Sequence, residues 1–201
     1  IAISFSKSNC EKIYQLINKP IVSIDAYGEL DAGQENHVLN IGLDDESGGY
    51  LMTKYLLECG YEHIQVCAGR DNGVDHFRYM GAQRAAKEFA GKKQKVQFTA
   101  LGMNYAKRKE SYAWLIQRKK PKTALFFLSD LYALEAISFF SSRGVKIPEE
   151  IGIAGYDNIS YAEFSVPRLT TISQNVEQKA SLAVEILMER INGVEKEREN
   201  E

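Results

Sequence analysis

Thr123-Ala-Leu-Phe-Phe-Leu-Ser-Asp130 and Ile151-Gly-Ile-Ala-Gly-Tyr-Asp157-Asn158, taken with the residues between them, decide the fold. Each is a short apolar run ending on polar residues, the signature of a strand buried on both faces. Between them Ala133, Ile137 and Phe140 recur at helical spacing, and Gly144 follows, a residue that enters the left-handed conformation of a helix end at no steric cost. Asp130 stands where its carboxylate can cap the free N–H groups of the first turn. Strand, helix, strand is the unit from which a helix-covered parallel sheet is made.

The same alternation continues in both directions. Strands are expected at Ile1–Phe5, Pro20–Asp25, His63–Gly69, Lys95–Leu101, Thr123–Leu128 and Ile151–Asp157. A helix over Gly48–Cys59 carries Leu51, Met52, Tyr55, Leu56 and Cys59 on one face and stops at Gly60. A second helix is expected over Asp75–Ala90. The last has a stripe of Val176, Ala180, Ala183, Val184, Leu187 and Ile191, with Asn175 and Gln178 resembling a cap pair and Gly193 after it. Tyr27–Asn40 is polar and holds Gly28 and Gly33, so it is expected to be a surface loop. Val194–Glu201 reads as a polar tail. The fold class is α/β.

Composition narrows the function. The chain has 201 residues, 44% hydrophobic and 26% charged, as in an ordinary globular protein, and no apolar run approaches the roughly 20 residues of a membrane span. A net charge of −2 and a pI near 6.0 argue against a chain that grips a duplex by itself. Cys10, Cys59 and Cys67 are odd in number and lack C-x-x-C spacing, so they are expected to be reduced core cysteines of a cytoplasmic protein. His37, His63 and His76 are not spaced as metal ligands, and no cofactor is expected. No G-x-G-x-x-G, P-loop or nucleophile elbow is present, which argues against an enzyme. The sequence opens directly in Ile1-Ala-Ile-Ser-Phe5, like a strand cut from something longer.

An ordered series of motifs then carries a resemblance: Ser129-Asp130, Gly144-Val-Lys-Ile-Pro148, Gly155-Tyr-Asp-Asn158 and Pro167-Arg-Leu-Thr-Thr-Ile-Ser-Gln174, with Gly60-Tyr-Glu-His-Ile64 and Arg78-Tyr-Met-Gly81 upstream. In this order they resemble the effector-binding region of LacI/GalR-type repressors over nearly the whole chain. Tyr61 where His is usual and Asp44-Asp45 where Asp-Asn is common are departures. The resemblance implies a two-lobed, periplasmic-binding-protein-like fold, each lobe a parallel sheet flanked by helices. Residues 1–44 and 175–193 would be the remainder of an incomplete N-terminal lobe, and residues 45–174 the C-terminal effector-binding lobe. The family's helix-turn-helix headpiece is absent from this stretch.

It further implies a small-molecule effector, a sugar by preference, held in an inter-lobe cleft, with operator DNA reached only through the missing headpiece by a homodimer. Arg78, whose fork can bind vicinal hydroxyls, and Asp157, which can accept from them, lead the implied site. Asn72, Ser129 and Asp130 lie just past strand ends. Tyr105 offers an aromatic wall, with Asn104 competing for the place, and Asp25 and Gln174 complete the set. Plainer readings stand beside these: Asp130 as a helix cap only, Arg78 as a surface residue, Asp157-Asn158 as a turn, and Trp114 and Phe164 as packing residues. A periplasmic sugar-binding protein of a transport system would share the fold, and fold alone does not separate the two.

Overall fold

A computed structural model describes residues 1–35, 37–89 and 93–194. Fifteen elements follow in chain order: β1 (Ala2–Ile3), α1 (Lys7–Ile17), β2 (Val22–Ile24), β3 (Leu39–Ile41), α2 (Asp45–Glu58), β4 (His63–Ala68), α3 (Gly73–Phe89), β5 (Lys95–Ala100), α4 (Tyr105–Gln117), β6 (Thr123–Phe127), α5 (Asp130–Ser141), β7 (Gly152–Asp157), α6 (Tyr161–Phe164), β8 (Thr170–Ser173) and α7 (Val176–Ile191). They form two units, Asp44–Gln174 and, separately, Ile1–Leu43 with the chain from Asn175 onward. Every strand pairing in both is parallel.

The larger unit is a five-stranded sheet of order β5-β4-β6-β7-β8. Its centre is β6, buried at each of its five positions. Alternation sends Ala124 and Phe126 into a core with Ile64 and Val66 on the α2/α3 face, and Leu125 and Phe127 into a core with Tyr112, Ile137 and Phe140 on the α4/α5 face. From β4 the chain adds β5 on one side and β6 on the other, so the order reverses between β4 and β6, the kind of switch point beyond whose carboxyl ends open α/β sheets hold ligands. Helices α2 and α3 touch backbone to backbone. A β-carbon on Gly49 would collide with the Arg78 carbonyl, and one on Gly81 with that of Glu46.

That close contact corrects the expected face of α2. The helix begins at Asp45, capped by the Asp44 carboxylate on Ser47 N at 2.9 Å, and buries Gly48, Gly49, Met52, Thr53, Leu56 and Leu57. Leu51 and Tyr55 face solvent, as does Cys59, which is therefore no core cysteine; Cys10 and Cys67 are buried.

The smaller unit has sheet order β1-β2-β3. One face packs Val22, Ile24 and Ile41 on Ala183 and Ile186 of α7; the other packs Ile21 and Val38 on Cys10 of α1. The buried side of α7 is Lys179, Ala183 and Ile186, so Val176, Val184 and Ile191 of the expected stripe are exposed. Asn175 is left-handed at φ 46°, not the extended conformation of a capping pair. Strand β3 takes the end of the segment expected to be a loop, while α1, α4 and β8 were not among the expected elements. Of the expected polar tail, all but Val194 lies outside the described residues.

Candidate functional site

The carboxyl ends of β6, β7 and β8 converge on Asp157. It is the last residue of β7 and has φ 125°, followed by Asn158 at φ 56°. Such angles cost a non-glycine residue on the order of 1–3 kcal/mol, so neighbouring bonds must hold them. Two of these bonds come from expected site residues. Ser129 Oγ donates to Asp157 Oδ2 at 3.1 Å, and Gln174 Nε2 donates to Oδ1 at 2.6 Å. Ser129, not Asp130, occupies the N-cap position of α5.

Asp130 is fully buried and its two oxygens are committed elsewhere. Oδ2 accepts from Ile159 N at 2.9 Å and Oδ1 from Thr171 Oγ1 at 2.6 Å, tying the turn after β7 and strand β8 to α5. A β-carbon on Gly155 would fill the space of that carboxylate, which gives the glycine of the Gly-Tyr-Asp run its reason. Burial raises the Asp130 pKa, opposed by its bonds from Thr171 and Ile159.

Arg78 is not a surface residue: it is 6% exposed in the second turn of α3. Its Nε donates to Asp45 Oδ1 at 2.8 Å and its Nη1 to the Leu128 carbonyl at 2.8 Å, closing the end of β6. The guanidinium lies 3.8 Å from the centroid of the Tyr156 ring, and Asp75 Oδ1 is 3.9 Å from Nη1. Burial pushes Asp75 up to about 6; Arg78 pulls it down, and Asp157, Asp45 and Asp71 push it further up. Asp45, Asp75 and Tyr156 thus surround Arg78, and the two carboxylates were not among the residues expected at the site. One signal existed, since Asp45 is the departure from the usual Asp-Asn pair.

The remaining expected residues are more open. Asn72 is exposed just before α3, its carbonyl accepting from His76 N at 3.3 Å. Tyr105 opens α4 half-exposed, with Lys109 Nζ 5.0 Å from its ring centroid, while the competing Asn104 is the N-cap, its Oδ1 accepting from Lys107 N at 3.0 Å. Asp25 belongs to the smaller unit, left-handed at φ 52°, with Lys179 Nζ donating to its oxygens at 2.9 and 2.7 Å. Trp114 and Phe164, expected as packing residues, are 45% and 75% exposed. Among the described residues no group of His, Cys, Asp and Glu could hold a metal, and no helix is long and apolar enough to cross a membrane.

Comparison with known proteins extends this picture. A family model described as a periplasmic binding protein-like domain matches residues 53–201. The HTH-type transcriptional repressor PurR of Haemophilus influenzae is 36% identical over 155 residues, which are 74% of this chain and 45% of that protein. PurR of Pasteurella multocida is 36% identical over 175 residues, 84% of this chain and 51% of that protein. The chain spans about half the length of these curated relatives. Among solved structures, a periplasmic binding protein/LacI transcriptional regulator from Alkaliphilus metalliredigens complexed with D-xylulofuranose is 27% identical with a TM-score of 0.76, covering 97% of this chain and 70% of that one. A LacI family transcriptional regulator from Enterococcus faecium with bound ribose shares the fold, with a TM-score of 0.76 at 23% identity over 96% of this chain and 69% of that one.

Proposed function

The chain belongs to the periplasmic binding protein-like domain family in its LacI-type, effector-binding form, and from that premise we propose that it is the sensing part of a DNA-binding transcriptional repressor. Its effector is a small hydroxyl-rich molecule, a sugar, held at the carboxyl edge of the larger sheet. The observation that carries the reading is Asp157, oriented at a strand end by Ser129 and Gln174 on its two oxygens. An ionised carboxylate has about four lone-pair sites, so two remain to accept from adjacent hydroxyls. The sugars bound to the Enterococcus and Alkaliphilus proteins support this choice.

In this reading Asn72 and Tyr105, open at the ends of β4 and β5, contact the effector beside Asp157. Ser129 and Gln174 hold the acceptor in place. Arg78 and Asp130 position the others, because their own polar atoms are already engaged within the fold. Leu131 on α5 and Tyr161, Phe164 and Val166 on the α6 segment are exposed apolar side chains that a second copy of the chain would cover. Binding shifts such a dimer only if the effector favours one of its arrangements over the other. The protein works in the cytoplasm without enzymatic activity, as suits repressor relatives and reduced thiols; the transport reading lacks comparable support.

A thermal-shift screen of the full-length repressor against monosaccharides, disaccharides, their phosphates and purines tests this directly. A sugar should raise the melting temperature, and Asp157→Asn should remove that rise. Failure of every sugar, or a rise that survives the substitution, overturns the assignment. The chain studied alone should leave operator DNA unshifted in a gel assay.

A further inference from the structure

At the opposite edge of the same sheet, β4 and β5 break the rule that a helix-covered parallel sheet reads as near-continuous apolar sequence. Strand β6 obeys it; β4 and β5 alternate. Their registered pairs His63–Lys95 and Gln65–Gln97 lie at the amino ends of the two strands, and on the face toward α4 they present polar side chains where a core would place Val or Leu. Above them is a hollow of about 310 Å³, within the size range of small-molecule pockets.

The walls are basic and aromatic. Lys95 comes from β5, Lys120 from the turn before β6, and Trp114 and Arg118 from the end of α4, with the Arg118 guanidinium 5.0 Å from the centroid of the Trp114 ring. Among the described residues, Lys119 is paired with Glu150 at 3.2 Å, whereas no carboxylate lies within ion-pairing distance of Lys95, Lys120 or Arg118. Gln65 Oε1 accepts from Thr99 Oγ1 at 2.8 Å, which leaves the amide nitrogen as the group able to donate into the hollow. In a chain of net charge −2, three uncompensated cations and an amide donor around one aromatic surface call for a ligand rich in acceptor oxygens.

We propose that this hollow is a second small-molecule site, for an organic phosphate whose flat ring lies against Trp114 while its phosphate meets Lys95, Lys120 and Arg118. It is separate from the carboxyl edge: the strand register sets Lys95 level with Ile151, and Asp157 lies about 20 Å further along a sheet rising about 3.3 Å per residue. Occupation would seat a charged ligand on a face of the regulator that its effector does not reach.

Trp114 is the chain's one tryptophan, so its fluorescence reports the site. The protein is titrated with adenosine monophosphate, inorganic phosphate and adenosine at ionic strength held constant with sodium chloride, and bound adenosine monophosphate is counted by equilibrium dialysis. The nucleotide should give a saturable change at one equivalent per chain and bind at least tenfold more tightly than phosphate or adenosine. The Lys95→Ala/Lys120→Ala variant, both positions being exposed, should melt like the parent and bind at least tenfold more weakly. A linear or absent response, binding equal to that of phosphate, or undiminished affinity in the double variant overturns the site.

Discussion

The two ends of the five-stranded sheet carry similar numbers of charges and use them in opposite ways. At the carboxyl end Arg78, Asp45, Asp130 and Asp157 are bonded to one another's elements and largely withdrawn from water. At the amino end Lys95, Arg118 and Lys120 stand around an open hollow. Withdrawn charges are costly to orphan, because the partner left behind stays buried, whereas exposed ones contribute little to stability. The first end is therefore part of the scaffold, and the second is free to change without unfolding it.

The sharpest way to break that contrast is a matched pair of substitutions. Arg78→Met leaves Asp45 and Asp75 without their cation and should lower unfolding free energy by about 3–5 kcal/mol in a urea titration; Arg118→Met should change it by less than about 0.5 kcal/mol. Equal losses would erase the distinction. Next in size, Asp130→Ala strips the acceptor from Ile159 N and Thr171 Oγ1 and should cost about 2–3 kcal/mol, read from the same titration.

Asp75 sharpens the comparison through pH. Burial holds its folded-state pKa at about 6, above the unfolded value of about 3.9. The folded state thus prefers the protonated acid, and the stability this contributes is complete below pH 4 and lost as pH rises through 6. Stability of the parent relative to Asp75→Asn should fall across that window and level above it, leaving the variant about 1–2 kcal/mol more stable at pH 7.5 by thermal unfolding. A flat difference would mean the carboxyl end is wetter than its burial implies. Smallest is Ser129→Ala, which should cost at most about 1 kcal/mol while weakening any effector-dependent rise in melting temperature.

How much of this was readable from sequence depended on whether the governing contacts were local. The β6–α5–β7 unit was legible because apolar runs, helical spacing and Gly144 sit side by side in the chain. The face of α2 was misread since counting apolar side chains favours Leu51 and Tyr55, yet Gly48 and Gly49 are buried for the smallness that lets α3 approach. Strand β3 has only three residues, and α1 and α4 are rich in polar residues, so periodicity gave little to read. Ser129 and Asp157 were legible as strand-end residues, and the structure joins them by a hydrogen bond. Asp45, Asp75 and Tyr156 meet Arg78 only through tertiary packing, and the choice of Asp130 between cap and anchor was made by Thr171, forty-one residues away.

The hydrogen bond from Gln174 to Asp157 has a further reach. Gln174 is the final residue of the larger unit, and at Asn175 the chain passes to the smaller one. Any molecule that competes for Asp157 Oδ1 loosens the side chain next to that crossing, so word of an occupied site has a single peptide link to travel before it arrives in the other half of the protein.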